Sequence, residues 1–175
     1  MTWVKPASPA LPRCRAGTCG HLATLRGWGR QLTLVALSAL FGAPLQALEG
    51  PQPRLPTVQL QAGMHNIVAE VARTPQQQQI GMMMRTDMAT HEGMLFVFEE
   101  ASARCFWMKN TLLPLSIAFI EDDGTVVNIA EMKPRSEASH CSDKPVRYAL
   151  EMNQGWFAKR AIRPGFRLKG PPFKP

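Results

Sequence analysis

The 175-residue chain has a formal net charge of +7, with 45% hydrophobic and 19% charged residues. This composition is typical of one globular domain, and it excludes both a disordered chain and a large multidomain enzyme. Five of the 20 basic residues and none of the 13 acidic residues precede Leu48, which leaves the remainder with a net charge of +2. Nucleic acid binding requires a concentrated basic face, which a chain with so small a net charge does not indicate. We therefore predict no nucleic acid partner.

An apolar run spans residues 32–43, shortly after Arg26 and Arg30. Its length of about a dozen residues is typical of a secretory signal peptide and falls short of the roughly 20 residues of a membrane-spanning helix. The small side chain of Ala47 predicts cleavage after that residue, so residues 1–47 are interpreted as a signal peptide. The mature protein is then periplasmic or secreted, without stable membrane insertion. An uncleaved N-terminal anchor is the alternative.

Export to an oxidising compartment bears on the pairing of the remaining cysteines. The mature chain keeps only Cys105 and Cys141, an even number in an oxidising compartment where thiols pair. We predict a disulfide between them, which would close a loop of about 37 residues and stabilise the fold by roughly 3 to 4 kcal/mol. Two free cysteines, or a redox pair that lacks the usual Cys-x-x-Cys spacing, are the alternatives.

The first half of the mature chain alternates strand and turn patterns. Residues 48–56 contain three prolines and read as a linker, since proline cannot donate to a strand ladder. Apolar residues at every second position predict strands at 57–61 and 67–71. Thr74 followed by Pro75 is typical of a helix start, which predicts a short helix that ends near Arg85.

The second half predicts further short strands. They lie at residues 94–98, 104–108, 115–120, 146–152 and 166–169, with a hairpin turn at 122–124, a long loop at 133–145 and a second short helix at 154–160. The predicted domain covers residues 57–170, followed by a tail at 171–175. Such short strands indicate a mainly β fold, either an antiparallel sandwich or a partly open barrel with two short helices. Parallel βαβ architecture is disfavoured because turns, not helix-length crossovers, separate the strands.

Several sequence blocks resemble the domain of unknown function 192 family. They are Arg85, the run from Glu92 to Phe98, the run from Phe106 to Thr111, Pro114, the run from Ala118 to Ile120, Asp123-Gly124, the run from Arg147 to Glu151, and Gly155. The resemblance covers roughly residues 58–168, and Ser116 departs from it because many members carry Asp there. It implies a compact, mainly β domain that is often exported and has no established activity.

Trp107, Lys109 and Asn110 form the centre of a candidate ligand site. On an extended strand, Trp107 and Lys109 point to one face, with Asn110 at the strand exit. An aromatic plane beside a cation and an amide suits a carbohydrate or a small anion, because the ring stacks and the polar groups form hydrogen bonds. Arg85 and Glu151 complete the set that we expect to line one concave pocket.

A purely structural interpretation of these residues stays open. Trp107 then belongs to the core and Asn110 caps a turn. Under this interpretation Lys109 either extends its charged end to solvent or pairs with Glu151 or Glu92. Arg85 pairs with Asp87 or Glu92.

A metal site and a cofactor are not predicted. Soft thioethers together with histidines suit Cu(I), and the chain carries Met82, Met83, Met84, Met88 and Met94 together with His65, His91 and His140. However, three consecutive methionines on a helix point in three directions, and methionine is a common core residue. No nucleophile elbow and no glycine-rich phosphate loop occurs in the sequence.

The sequence therefore favours an exported, non-catalytic module that binds a ligand or associates with the cell envelope. The alternative is a hydrolase of envelope polysaccharide that uses Glu92 and Glu151 as paired carboxylates. A third hypothesis is that the Trp107 block is only core and that partners bind elsewhere on the surface.

Overall fold

A computed structural model describes residues 50–174; the predicted signal peptide and its cleavage site lie outside the described residues. The predicted mainly β fold is confirmed. The strands are β1 Thr57–Ala62, β2 His65–Ala72, β3 Glu92–Ser102, β4 Cys105–Phe106, β5 Leu115–Ile120, β6 Val126–Met132, β7 His140–Cys141 and β8 Val146–Asn153. One open six-stranded sheet has the order β1-β2-β3-β8-β5-β6, and β4 pairs with β7 in a second, two-stranded sheet.

One strand pair departs from the antiparallel arrangement that the sequence predicts. β2 and β3 are parallel, with Val71 opposite Leu95, whereas all other named pairs are antiparallel. The connection between them, residues 73–91, carries the helix α1 Pro75–Ile80 and is long enough to return the chain to the same end of the sheet. The large sheet is therefore mixed.

The helix α1 begins as the sequence predicts and ends earlier. Thr74 Oγ1 accepts a hydrogen bond from the Gln77 N–H at 3.2 Å, and the Gln77 side chain accepts one from the Thr74 N–H at 3.0 Å. This reciprocal arrangement is a capping box, which satisfies two backbone donors that would otherwise lack partners. Gly81, at φ 52°, ends the helix well before Arg85. The second predicted helix is shortened to a 3-10 turn at Ala158–Arg160.

The predicted hairpin between β5 and β6 is present, with Gly124 at a φ of 89°. Two predicted strands are reduced. The strand expected at 104–108 is only β4, and residues 166–169 contribute isolated bridges from Arg167 to Thr125 and from Lys169 to Gln61. The long loop predicted at 133–145 contains the short strand β7, and this strand carries Cys141.

The predicted disulfide is present and joins Cys105 on β4 to Cys141 on β7. These two residues are direct partners in the two-stranded sheet. The disulfide thus fixes the long loop to the segment that leads into Trp107.

Both faces of the large sheet are covered, which explains why β5 is buried at every position. One face packs against the C-terminal segment, with a core that includes Leu95, Leu150, Trp156, Phe157, Ile162 and Leu168. The other face packs against the segment that follows α1 and against the region of the β4–β7 sheet. Its core includes Met82, Met94, Phe96, Phe106, Met108, Ile117 and Phe119. The candidate site lies on this second face.

The proline-rich residues 50–56 contain no helix or strand, and they contact the domain closely. The Gln52 side chain is buried and donates a hydrogen bond to the Gly81 carbonyl oxygen at 2.8 Å. The Leu55 N–H donates to the Glu70 carboxylate at 2.8 Å. This segment therefore contributes to the domain instead of leading away from it.

Candidate functional site

Two buried carboxylates lie in one cross-strand row on the second face of the sheet. Glu70 on β2 is opposite Met94 on β3, Met94 is opposite Glu151 on β8, and Glu151 is opposite Ile117 on β5. Since neighbouring strands are about 4.8 Å apart, one intervening strand separates the two glutamates by about 10 Å along the row. The two carboxylates nevertheless have very different surroundings.

Glu70 is fully engaged by hydrogen-bond donors. Arg85 binds it in a bidentate pair, with Nη1 at 2.6 Å and Nη2 at 2.7 Å from the two carboxylate oxygens. Arg54 and the Leu55 N–H each add a hydrogen bond at 2.8 Å. Burial disfavours the ionised form, but the hydrogen bonds from Arg85, Leu55 and Arg54 outweigh it and hold the pKa of Glu70 below its ordinary value. Glu70 is therefore a structural group whose ionised form is favoured by its donors.

Glu151 is buried without a comparable set of partners. Only 4% of the residue is exposed, and its Oε2 atom accepts no hydrogen bond from the described residues. No ion pair with Glu151 occurs within residues 50–174. Burial raises the pKa of Glu151 to about 7. At neutral pH this carboxyl group is thus divided between its neutral and its ionised form.

A narrow cleft, here called the Glu151 cleft, reaches this carboxyl group from the surface. It is lined by Gln78, Gln79, Ile80, Gly81, Met82, Met83, Phe96, Phe106, Trp107, Thr111 and Glu151. The cavity has a volume of about 20 Å³. A water molecule needs about 10 to 15 Å³ by this measure, so the interior admits one group of that size. Aromatic and thioether side chains form about half of its walls, and Gln78, Gln79, Thr111 and Glu151 supply polar groups.

The wall that carries Trp107 is held by backbone hydrogen bonds to two other loops. The Met84 N–H donates to the Asn110 carbonyl oxygen at 2.9 Å, and the Arg135 N–H donates to the Thr111 carbonyl oxygen at 3.0 Å. Asn110 has a φ of 57°, in the left-handed region that asparagine tolerates better than most residues. The segment 107–111 is thus fixed between the residues after α1 and the long loop that contains β7.

The structure brings some of the predicted ligand residues together and separates others. Trp107 and Glu151 both line the cleft. The Lys109 ammonium lies 5.2 Å from the centre of the Trp107 ring, so the expected shared surface of a cation and an aromatic plane is present. Arg85 does not line the cleft, because it is buried in its pair with Glu70. Asn110 is exposed, and its backbone carbonyl oxygen is the group that fixes the loop.

The ion pairs predicted under the structural interpretation are wrong, because both cations lie beside other carboxylates than those predicted. Arg85 pairs with Glu70, not with Asp87 or Glu92. Lys109 lies 4.0 Å from Glu137, a loop carboxylate, and not beside Glu151 or Glu92. Arg85 lies beside Glu70 because it belongs to the crossover between β2 and β3. Lys109 lies near Glu137 because backbone hydrogen bonds hold the long loop against residues 108–111. The set of five residues as a ligand site stays a prediction.

The sequence reasoning missed most of the cleft walls and Glu70. Met82, Met83, Phe96 and Phe106 read as ordinary core residues, and only the tertiary structure gathers them around one carboxyl group. Glu70 had a detectable signal, since it is the sole charged residue in the otherwise apolar strand pattern of residues 67–72. A lone acid in a buried strand indicates a buried partner.

Glu92 and Ser116, two other residues singled out by sequence, lie apart from the cleft lining. The Glu92 carboxylate accepts a hydrogen bond from the Ala89 N–H at 3.1 Å and lies 3.7 Å from Arg54. Ser116, where many family members carry Asp, donates to the Glu131 carboxylate at 2.7 Å. It also accepts a hydrogen bond from the Gly155 N–H at 2.8 Å, so its role here is to fix the turn after β8.

The described part of the chain contains no group of three or more His, Cys, Asp or Glu residues that could hold a metal ion. The methionines diverge, since Met82 is buried and faces the core whereas Met84 is 39% exposed.

None of the helices within residues 50–174 is both long and apolar enough to span a membrane.

Residues 58–170 match the DUF192 family, whose description is "Uncharacterized ACR". A protein from Sinorhizobium meliloti 1021, described as a candidate transcription regulator, is 39% identical with a TM-score of 0.64; the match covers 68% of this chain and 97% of that one. A protein of unknown function from Novosphingobium aromaticivorans DSM 12444 is 35% identical with a TM-score of 0.60, covering 65% of this chain and 83% of that one. No curated protein matches.

Proposed function

Because the chain belongs to the domain of unknown function 192 family, whose description names no activity, we propose a function from the chemistry of its cleft. The protein is an exported, non-catalytic module that binds a ligand of the cell envelope through the Glu151 cleft. The observation that carries this proposal is the buried Oε2 atom of Glu151, which lacks a hydrogen bond from any described residue.

The energetic cost of this arrangement supports a binding role. A buried acceptor without a partner costs about 1 to 3 kcal/mol, and an ionised one costs more. The same fold satisfies the neighbouring Glu70 with four hydrogen bonds, so the sheet is able to hold a buried carboxylate at low cost. A ligand that donates a hydrogen bond to Glu151 would recover this free energy on binding.

The charges around the cleft bear on the two ligand classes that the sequence predicts. A small anion needs an available cation, and both predicted cations already lie beside carboxylates, Arg85 at Glu70 and Lys109 at Glu137. A carbohydrate or another ligand with a donor group suits the cleft better, because Glu151 accepts and Thr111 also lines the site. We therefore favour a ligand whose donating end enters the cleft while the remainder lies outside it.

Export is supported by two features. Residues 1–47 carry the pattern of a signal peptide, and Cys105 forms a disulfide with Cys141, as is usual for proteins of oxidising compartments. We expect the protein in the periplasmic or secreted fraction, with a mature N-terminus at Leu48. Intact mass measurement of the protein from fractionated cells tests this. A cytosolic protein with the full leader and two free thiols would contradict it.

Binding is tested by calorimetric titration of the protein with a panel of envelope glycans and small anions. We expect a glycan or another donor-bearing ligand to bind, and Glu151→Gln to weaken that binding at least tenfold. Glu100→Gln, which changes an exposed carboxylate outside the cleft lining, is the matched control and keeps the wild-type affinity. If no compound binds, or if binding is insensitive to Glu151, the proposed function is wrong.

One observation favours a second function, hydrolysis of envelope polysaccharide. A carboxyl group whose pKa is raised by burial, as that of Glu151 is, is typical of a general acid in glycoside hydrolases. Glu92 would then be the second carboxylate. Turnover of a labelled envelope polysaccharide that disappears in Glu151→Gln and in Glu92→Gln would support this function, and turnover that survives both substitutions would contradict it.

A further inference from the structure

We infer that the group admitted by the Glu151 cleft is a primary ammonium, so that the ligand is an amine. This inference rests on the proposed function and narrows it from hydrogen-bond donors in general to a cationic donor. It depends on the charges, the walls and the size of the cleft.

The charges around the cleft favour an ammonium. Within residues 50–174, the cations near the cleft are already beside other carboxylates: Arg85 is buried against Glu70, and Lys109 lies outside near Glu137. The ionised form of Glu151 therefore has no counter-charge from the described residues. A hydroxyl group would donate one hydrogen bond but leave this charge uncompensated in apolar surroundings. An ammonium supplies both the hydrogen bond and the opposite charge.

The side chains that form the walls also suit a cation. Phe96, Phe106 and Trp107 line the cleft, and the faces of aromatic rings attract cations. Met82 and Met83 add thioether sulfurs, which are weak acceptors and never donors. The Gln78 amide donates to the Val97 carbonyl oxygen at 2.7 Å, and the lining also holds the donor-bearing side chains Gln79, Thr111 and Trp107. The preference for a positively charged donor therefore rests on the aromatic faces and the thioether acceptors beside Glu151.

The size of the cleft restricts the group that enters it. The cavity of about 20 Å³ admits one group as large as a water molecule. The ammonium of a primary amine is of this size, whereas a quaternary ammonium carries four carbon substituents and is too large. Size therefore separates a primary amine from a quaternary one although both carry the same charge.

The affinity for an amine must also depend on pH in a defined direction. The residues opposite Glu151 in the sheet, Met94 and Ile117, do not titrate. The charged groups on the elements around it are Glu70 with Arg85 and Arg54, Glu92, Glu99 and Glu100 on β3, Arg147 on β8, Lys109 beyond the mouth, and His140, which is opposite Phe106. With the pKa of Glu151 at about 7, its ionised fraction rises about tenfold from pH 6 to pH 8, and amine affinity rises with it.

The test is a titration of the isotope-labelled protein, followed by amide NMR shifts of the cleft residues. The probes are propylammonium chloride, 1-propanol as its neutral counterpart, and tetramethylammonium chloride as the oversized cation, at constant ionic strength. We expect propylammonium to bind about tenfold more tightly at pH 8 than at pH 6, with little response to the other probes. Glu151→Gln should abolish binding and its pH dependence, whereas the exposed control Glu100→Gln should keep both.

The outcomes separate the inference from the proposed function. Binding of 1-propanol at least as tight as that of propylammonium, or equal binding of tetramethylammonium, would overturn the inference and leave the proposed function standing. Absence of binding by every probe and every glycan would overturn both. If Glu151→Gln does not fold, the pH dependence and the size exclusion measured on the wild-type protein still decide the inference.

Discussion

The buried carboxyl of Glu151 should make the stability of the protein fall as the pH rises. The pKa of this group increases from an ordinary value of 4.5 to about 7 in the folded state. The folded state therefore binds its proton more tightly than the unfolded state. The stabilisation is fully present below pH 4.5 and is lost as the pH rises through 7. Since a tenfold change in acidity is worth about 1.4 kcal/mol, the loss amounts to about 3 kcal/mol.

The measurement is urea denaturation of the wild-type protein and of Glu151→Gln at several pH values between 4.5 and 8. Other residues titrate in this range too, but they are common to both proteins, so the difference between the two free energies of unfolding isolates Glu151. We expect this difference to shift by about 3 kcal/mol in favour of the variant between pH 4.5 and 8. The exposed control Glu100→Gln should show no such shift. A flat difference curve would refute the assignment of Glu151 as a buried, unpartnered carboxyl group.

Three further predictions concern the framework around the cleft. Arg85→Ala leaves the buried carboxylate of Glu70 poorly compensated and should lower the free energy of unfolding by about 3 to 5 kcal/mol. Arg54→Ala, at a half-exposed position, should lower it by less than about 1 kcal/mol. Equal losses for the two variants in urea denaturation would contradict this. Replacing Cys105 and Cys141 together by serine should lower stability by about 3 to 4 kcal/mol in the same assay, and an unchanged midpoint would argue against the disulfide. Thr74→Ala should cost about 1 kcal/mol through loss of the helix cap, and thermal unfolding at the wild-type temperature would contradict the capping role.

The cleft also suggests why an energetically costly group is placed in a stable sheet. Glu151 lies between Met94 and Ile117 in the most buried part of the strand order, where an apolar residue would pack without penalty. Perturbed titratable groups of this kind are concentrated at functional sites, because function requires chemistry that stability alone would remove. The neighbouring Glu70, with its two arginines, shows what the same sheet does with a purely structural carboxylate.

Local features of this protein could be predicted from the sequence of each segment alone. The helix cap at Thr74, the hairpin at Gly124 and the continuous apolar pattern of residues 115–120 each depend on neighbours within a few positions, so they could be predicted and are present. The disulfide between Cys105 and Cys141 followed from counting the cysteines left after the predicted export signal. The family membership likewise rests on short blocks of sequence.

Pairing between distant segments was decided only by the tertiary structure. Periodicity cannot tell which strands are neighbours, so the parallel pairing across the α1 connection was missed. The same limit applies to charge: Glu70 and Glu151 are both acids in apolar strands, yet the crossover brings Arg85 to one and leaves the other at the floor of a cleft. Residue type sets what a side chain is able to do, whereas burial and the partners that folding supplies determine which carboxylate is neutralised and which remains available.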